Sequence, residues 1–204
     1  MSIAVPASEK RRQPSDERRE RILEGAFKVF LAYGYDRTTM DDIARAAEIS
    51  RPALYLVFRN KTDIYRALAA QFLNELLVRT EAVLAEEGPL AARLDRMCEG
   101  VFYCMMREIE ETPHGPELLD VKNNLAGDVM TEWRGRLDAV LAQAIEAEAL
   151  QNGVDLKAKG FSAQTLATML NDAMEGMKAR ITDPKAHLER GKLYLKVIGA
   201  VLSP

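Results

Sequence analysis

The chain has 204 residues, 48% of them hydrophobic and only 6% aromatic, with 29% charged and a formal net charge of −3. That length suits one or two domains with a good core, and the abundance of Ala, Leu, Glu and Arg is an all-α composition. No apolar run is long enough to span a membrane, the N-terminus is too polar for a signal peptide, and the slight negative charge argues against a general nucleic-acid binder. The expected location is the cytoplasm.

Residues 1–14 lack periodicity and carry Lys10, Arg11 and Arg12. They read as a flexible, solvated basic arm, with contact of its arginines to a DNA backbone or minor groove as the sharper alternative. A helix from about Ser15 to Tyr33 follows. It has Asp16 and Glu17 in its first turn, an apolar stripe of Ile22, Leu23, Ala26, Phe27, Phe30 and Leu31, and Gly34 as a left-handed C-cap. This helix is scaffold.

The next stretch, TTMDDIARAAEISRPALYLVFRNK from Thr38 to Lys61, organises the rest. Met40, Ile43, Ala44 and Ala47 fall on one helical face. Thr39 and Asp42 make a weak capping box. Ser50 is an N-cap for a second helix with Pro52 in its first turn, and Leu54 and Phe58 form that helix's inward face. Two short helices joined by a tight turn make a helix-turn-helix, whose second helix enters the DNA major groove. Arg51 lies in the first turn of the second helix and Lys61 opens the next one. Each opposes its helix dipole and so suits a waiting phosphate or base edge, and Tyr55 adds an exposed hydroxyl.

The run RRERILEGAFKVFLAYGYDRTTMDDIARAAEISRPALYLVFRNKTDIYRAL, Arg18 to Leu68, resembles the DNA-binding domain of the tetracycline-repressor-like (TetR) family. The shared features are Ile22-Leu23, Phe30 with Gly34-Tyr35, Thr38-Thr39, Ile43-Ala44, Ser50, Leu54-Tyr55, Phe58 and Lys61. The resemblance implies DNA contact by Thr38, Thr39, Ser50, Arg51, Pro52, Ala53, Tyr55, Leu56 and Lys61. Within that set Thr39, Tyr55 and Lys61 are expected on phosphates, and Arg51 and Ala53 near base edges. The chain departs from the family at Glu48, where the turn usually has glycine, at Pro52, and in the ending Tyr55-Leu56-Val57-Phe58. These departures bear on which operator is read rather than on the binding mode.

A helix from about Lys61 to Glu86 carries the unbroken stripe Ile64, Leu68, Phe72 and Leu76, so the head is joined to the body without a flexible linker. After Gly88-Pro89 comes a helix to about Glu111, with Leu90, Leu94, Met97, Val101, Met105 and Ile109, and an apolar surface broadened by Phe102, Tyr103, Cys104 and Met106. Thr112 to Pro116 breaks the chain before a short helix to Leu125. A long helix spans about Asp128 to Gln151. The last pair spans about Ser162–Thr182 and Asp183–Leu202, with Asp183-Pro184 as N-cap and N1, and Gly191 and Gly199 for close approach. Cys98 and Cys104 read as ordinary reduced thiols on different sides of one helix. Through Arg66 there are thirteen Lys or Arg against ten Asp or Glu, and beyond it fifteen against twenty-one, a basic head on an acidic body.

Phosphate-loop, dinucleotide, nucleophile-elbow and HExxH motifs are missing from the chain, and His114 beside Glu108, Glu110 and Glu111 reads as a solvated helix end rather than a metal site. The expectation is no enzyme and no cofactor. Taken singly, Phe102, Met105, Met106, Trp133 and Met174 read as core. The resemblance implies that the body holds a small-molecule cavity among such adaptable side chains and dimerises through its last two helices. Those two helices also have more apolar surface than a monomer needs, and Leu170, Met177, Leu195, Ile198 and Leu202 are the expected interface.

The reading is an all-α protein: a basic arm over 1–14, a helix-turn-helix domain over 15–66, and a ligand-binding and dimerisation domain over 67–204. It would be a homodimeric DNA-binding regulator, a repressor released from a palindromic double-stranded DNA operator by a small apolar or amphipathic effector, with no membrane association. The alternative is a helical small-molecule-binding or scaffolding protein that has lost specific DNA binding, with Glu48 and Pro52 as its support.

Overall fold

The computed structural model describes residues 14–178, 180–181 and 183–203, and the expected basic arm lies outside them but for Pro14. Every regular element among the described residues is helical. The head consists of α1 (Pro14–Tyr33), α2 (Met40–Ala46) and α3 (Arg51–Tyr55), and α4 (Lys61–Leu84) runs from it into the body. The body continues with α5 (Leu90–Arg96), a π-helical segment (Met97–Tyr103), α6 (Cys104–Glu110), α7 (Gly115–Leu125), α8 (Gly127–Gln151), α9 (Ala163–Lys178) and α10 (Pro184–Val201).

Local chemistry sets most of the head's boundaries. The Thr39 hydroxyl accepts from the Asp42 amide at 3.2 Å while the Asp42 carboxylate accepts from the Thr39 amide at 2.9 Å, closing the capping box on α2. Ser50 accepts from the Ala53 amide at 3.3 Å to open α3. Asn60 accepts from the Asp63 amide at 2.8 Å and starts α4. At the end of α2, Glu48 takes a left-handed conformation with φ 54°. A side chain there costs about 1–2 kcal/mol, yet the turn keeps its shape, so this departure leaves the reading helix in place.

The head core centres on Ile22, Phe30, Ile43, Leu54 and Ile64, all fully buried. Phe30, Tyr35 and Tyr65 form a ring cluster with centroids 5.3–6.3 Å apart that fuses α1 to the start of α4. This core runs on into the body through Leu118 and Ala126. Further along α4, Leu73 and Leu76 join Val101, Met105 and Met130 in a small cluster, and Leu77 and Leu84 join the large one under α5, α8, α9 and α10.

The helix expected from Pro89 to Glu111 is not α-helical throughout. Its middle third is wound as a π-helix, with the Cys104 amide reaching back five residues to the Glu99 carbonyl. An inserted residue of this kind shifts the register of all that follows, and such segments concentrate at functional sites. Cys98 is buried in this segment, where desolvation and then the nearby Asp95 push its thiol up to about 12, so it is an inert core group.

One close approach carries a prediction. A Cβ on Gly25 would lie 2.8 Å from the Ala47 nitrogen and 2.9 Å from the Ala46 carbonyl carbon, both backbone atoms of the α2 exit. Gly25→Ala should therefore destabilise the head by about 1–3 kcal/mol through overpacking. Helix propensity alone predicts the opposite, a gain of about 1 kcal/mol, so a thermal melt that rises or stays level refutes the contact.

Candidate functional site

The reading helix α3 presents a clean division. Leu54 and, just beyond it, Phe58 are buried, while Ser50, Arg51, Pro52, Tyr55 and Leu56 are exposed and Ala53 is half-buried. Leu56 is 81% exposed, an apolar side chain with no use in the folded head. An exposed apolar group beside arginine suits a major groove, where a thymine methyl and a guanine edge stand side by side.

Arg51 has a folding partner that its helix position did not suggest. Its guanidinium donates to Asp41 at 3.1 Å and lies 5.6 Å from the centre of the Tyr55 ring. Both charged side chains are more than half exposed. An exposed pair of this kind is weak, so it holds Arg51 in position and releases it readily to a better acceptor. Arg51→Ala should reduce operator affinity by about 1–3 kcal/mol while barely changing affinity for random DNA. Equal losses on both, measured by fluorescence anisotropy, would remove Arg51 from base reading.

Lys61 corrects a premise. Its ammonium donates to the Tyr35 carbonyl at 2.6 Å and the Asp36 carbonyl at 3.3 Å, 4.2 Å from the centre of the Tyr35 ring. The cation therefore does serve the fold, pinning the α1–α2 connection, and one of its three donors is left for a phosphate. Thr38 is a second correction. It is 2% exposed, and its hydroxyl donates to the Gly34 carbonyl at 2.7 Å, so it seals the end of α1 and is not available to DNA. Thr39 is exposed, and its hydroxyl also donates to Asp42 at 2.6 Å. That hydrogen bond, with the Thr39 amide, holds the Asp42 carboxyl below its usual range.

Two arginines escaped the sequence reading. Arg45 closes α2 and Arg59 follows α3, with side chains 78% and 87% exposed. With Arg51 and Lys61 they are the four cations between Thr38 and Lys61, and they bracket α3 on both sides. Counting cations around the turn, rather than only at helix starts, would have found them.

In the body, Phe102, Met105 and Trp133 do come together. Phe102 and Trp133 stack edge to face with centroids 6.1 Å apart, and both pack on the cluster that contains Met105. Met174 packs on the large cluster instead, and Met106 is half-buried outside the Trp133 group. These side chains pack into the core rather than standing around open space. Among the described residues, the buried Trp133 indole N–H has no hydrogen-bond partner. A groove of about 380 Å³ opens nearby, lined by Val83, Arg96, Glu99, Gly100 and Val101.

The expected interface residues also need correction. Leu170, Met177, Leu195, Ile198 and Leu202 are all buried within the single chain, and all but Met177 belong to the large core cluster of the body. The free apolar surface of α9 and α10 is the opposite face, with Met169, Leu193, Tyr194 and Val197 all exposed. Gly191 meets the Met174 thioether as a close approach, whereas Gly199 faces open space.

Residues 22–68 match the profile of bacterial regulatory proteins, tetR family. The chain is 34% identical over 91 residues to the HTH-type transcriptional activator FasR of Mycolicibacterium smegmatis, covering 45% of this chain and 42% of that one. It is 26% identical over 122 residues to the HTH-type transcriptional repressor ComR of Escherichia coli, covering 58% and 57%. The alignments thus span about half the length of these relatives. Among solved structures, SmeT, the repressor of the Stenotrophomonas maltophilia multidrug efflux pump SmeDEF, superposes with a TM-score of 0.64 at 20% identity, over 89% of this chain and 88% of that one. No helix among the described residues is long and apolar enough to cross a membrane. Residues 22–68 are thus similar to the tetR family of bacterial regulatory proteins, and the all-helical chain as a whole has the fold of SmeT.

Proposed function

We propose that this chain is a homodimeric, cytoplasmic repressor that holds a palindromic operator through two copies of α3 and leaves it when a small apolar molecule enters the body. The observation that carries the reading is the outward face of α3, with Arg51, Tyr55 and Leu56 exposed on a helix whose inner side is fully packed. Arg45 and Arg59 on its flanks supply the sequence-independent phosphate attraction. The reading that specific DNA binding has been lost rested on Glu48 and Pro52. Glu48 holds the turn, and Pro52 sits in the first turn of α3 where its missing N–H costs nothing, so neither supports that alternative.

The repressor direction rests on ComR and SmeT, which bear that description, while FasR is described as an activator. A gel shift with the DNA flanking the chain's own coding region tests the proposal. The expected result is a single specific complex with two chains per site, competed poorly by random DNA. Binding that random duplex competes as well as the flanking fragment would refute it.

A further inference from the structure

Trp133 sits where the two core clusters of the body meet, packed on both, and its indole N–H is buried with no acceptor among the described residues. A buried donor left unpaired keeps the full cost of its desolvation, and natural cores seldom keep one without a use. The buried residues of the smaller cluster are all apolar: Leu73, Leu76, Val101, Met105 and Met130. An ion placed among them would forfeit its hydration with nothing in exchange.

A surface groove shares residues with these same clusters. The groove between α4 and the π-helical segment has Val83 and Val101 as its apolar floor; Val101 belongs to the smaller cluster, and Val83 packs on both. The charges at its rim are already neutralised, Arg96 by Glu86 at 2.9 Å and Glu99 by Lys192 at 3.0 Å, so the groove does not recruit an ionic ligand. Gly100 faces this space with nothing within 4 Å of where a Cβ would stand. The surrounding backbone is the π-helical stretch, where one inserted residue can be taken up or released without breaking the rod.

We propose that the effector is an uncharged, mainly apolar molecule with one hydrogen-bond acceptor, which enters between α4 and the π-helical segment and takes the Trp133 Nε1–H. This rests on the reading of the body as an effector domain and adds the chemistry of the ligand. A carbonyl of a ketone or ester fits, because it accepts one hydrogen bond and carries no charge into the cluster. A pure hydrocarbon leaves the indole unpaired, and a carboxylate pays to be dehydrated.

The test uses acetophenone and α-methylstyrene, two molecules of one shape in which C=O replaces C=CH₂. Trp133 is the only tryptophan, so ¹⁵N-indole labelling gives a single side-chain resonance in the full-length chain. Acetophenone should move that indole proton saturably downfield and bind about tenfold more tightly than α-methylstyrene by calorimetry, the scale of one relieved buried donor. The preference should fall to about one in Trp133→Phe, which keeps an aromatic ring and loses the N–H. Gly100→Leu puts a side chain into the groove from a position where a Cβ meets nothing among the described residues, and should abolish binding of both probes while leaving the thermal midpoint in place, so the proposal stays testable if the tryptophan variant folds poorly. A preference that survives Trp133→Phe, an indole resonance that does not move, or undiminished binding to Gly100→Leu each overturns it. The effector reading fails separately, if acetophenone binds through Trp133 as described and operator affinity at saturation is unchanged.

Discussion

Leu193→Glu combined with Val197→Glu should give a folded monomer that no longer holds its operator. The two side chains are 53% and 60% exposed, one helical turn apart on the outer face of α10, with Met169 and Tyr194 also exposed on the α9–α10 pair. Because neither is spent on the core, the double change should alter the melting of the single chain by only the small amounts typical of surface substitutions, within about 0.5 kcal/mol each. Across a two-fold axis each residue meets the same face of the second copy, so the change places several carboxylates together in a buried seam. Losing the dimer removes the second half-site, and affinity should fall towards non-specific binding, by a factor of about 10³ or more. Leu195→Glu is the contrasting control. Leu195 is 3% exposed, so a charge there should unfold the body itself. Light scattering, circular dichroism and anisotropy on the three proteins separate these outcomes. An intact dimer in the double variant would move the interface elsewhere.

Which parts of this fold could be read from the chain follows from how local each interaction is. Thr39 with Asp42, Ser50 with the Ala53 amide, Gly34 at the exit of α1 and Asp183 ahead of Pro184 all act within four residues, and the sequence shows both partners at once. The apolar stripes were equally legible. What periodicity cannot supply is the destination of each stripe. Helix α10 carries Leu188, Leu195, Ile198 and Leu202 on one side and Leu193 and Val197 on another, and nothing in the spacing says which side closes the chain's own core. In the single chain Leu188, Leu195, Ile198 and Leu202 are buried, and Leu193 and Val197 stay exposed.

The same limit explains Lys61, whose partners at Tyr35 and Asp36 lie about twenty-five residues earlier in the chain. It explains the π-helical segment too. Leu94, Met97, Val101 and Met105 recur at intervals of three and four as in any α-helix, and the extra residue is accommodated by packing against α4 and α10 rather than signalled by a residue type. Thr38 looked like a polar residue at the edge of a binding motif. Only the exit geometry of α1 turns its hydroxyl inward onto the Gly34 carbonyl.

Arg66→Ala should disconnect effector from operator while leaving operator affinity without effector within a few-fold. Helix α4 is unbroken from Lys61 to Leu84, so any tilt at its body end is carried into the head. Two side chains decide how that tilt is shared. The Tyr65 hydroxyl donates to the Leu118 carbonyl at 2.7 Å inside α7, and Arg66 donates to the Leu125 carbonyl at 2.9 Å and to Asp128 at the start of α8. Together they clamp α4 to α7 and α8, whose next turns carry Met130 and Trp133. A molecule lodged beside Trp133 must push either α8 or α4, and the clamp makes them move as one. Two rigid heads have to fit successive major grooves, so a shift of a few ångströms removes the second contact. The Arg66 guanidinium holds the Asp128 carboxyl below its ordinary value of 3.8. A lowered carboxylate keeps its ion pair above that range and loses it only as pH falls through the folded value, so the clamp is fully formed between pH 6 and 8 and coupling should not vary there. Linkage requires that operator DNA weaken effector binding by the factor by which effector weakens DNA binding, about 1–3 kcal/mol for coupled sites of this kind. With an effector identified by thermal-shift screening, that factor should be about 5- to 150-fold in the parent chain and shrink towards one in Arg66→Ala, while the effector's affinity for free protein changes little. A coupling factor that survives the substitution would mean the signal reaches the heads by another path, with α4 carried along by its packing on α8 alone.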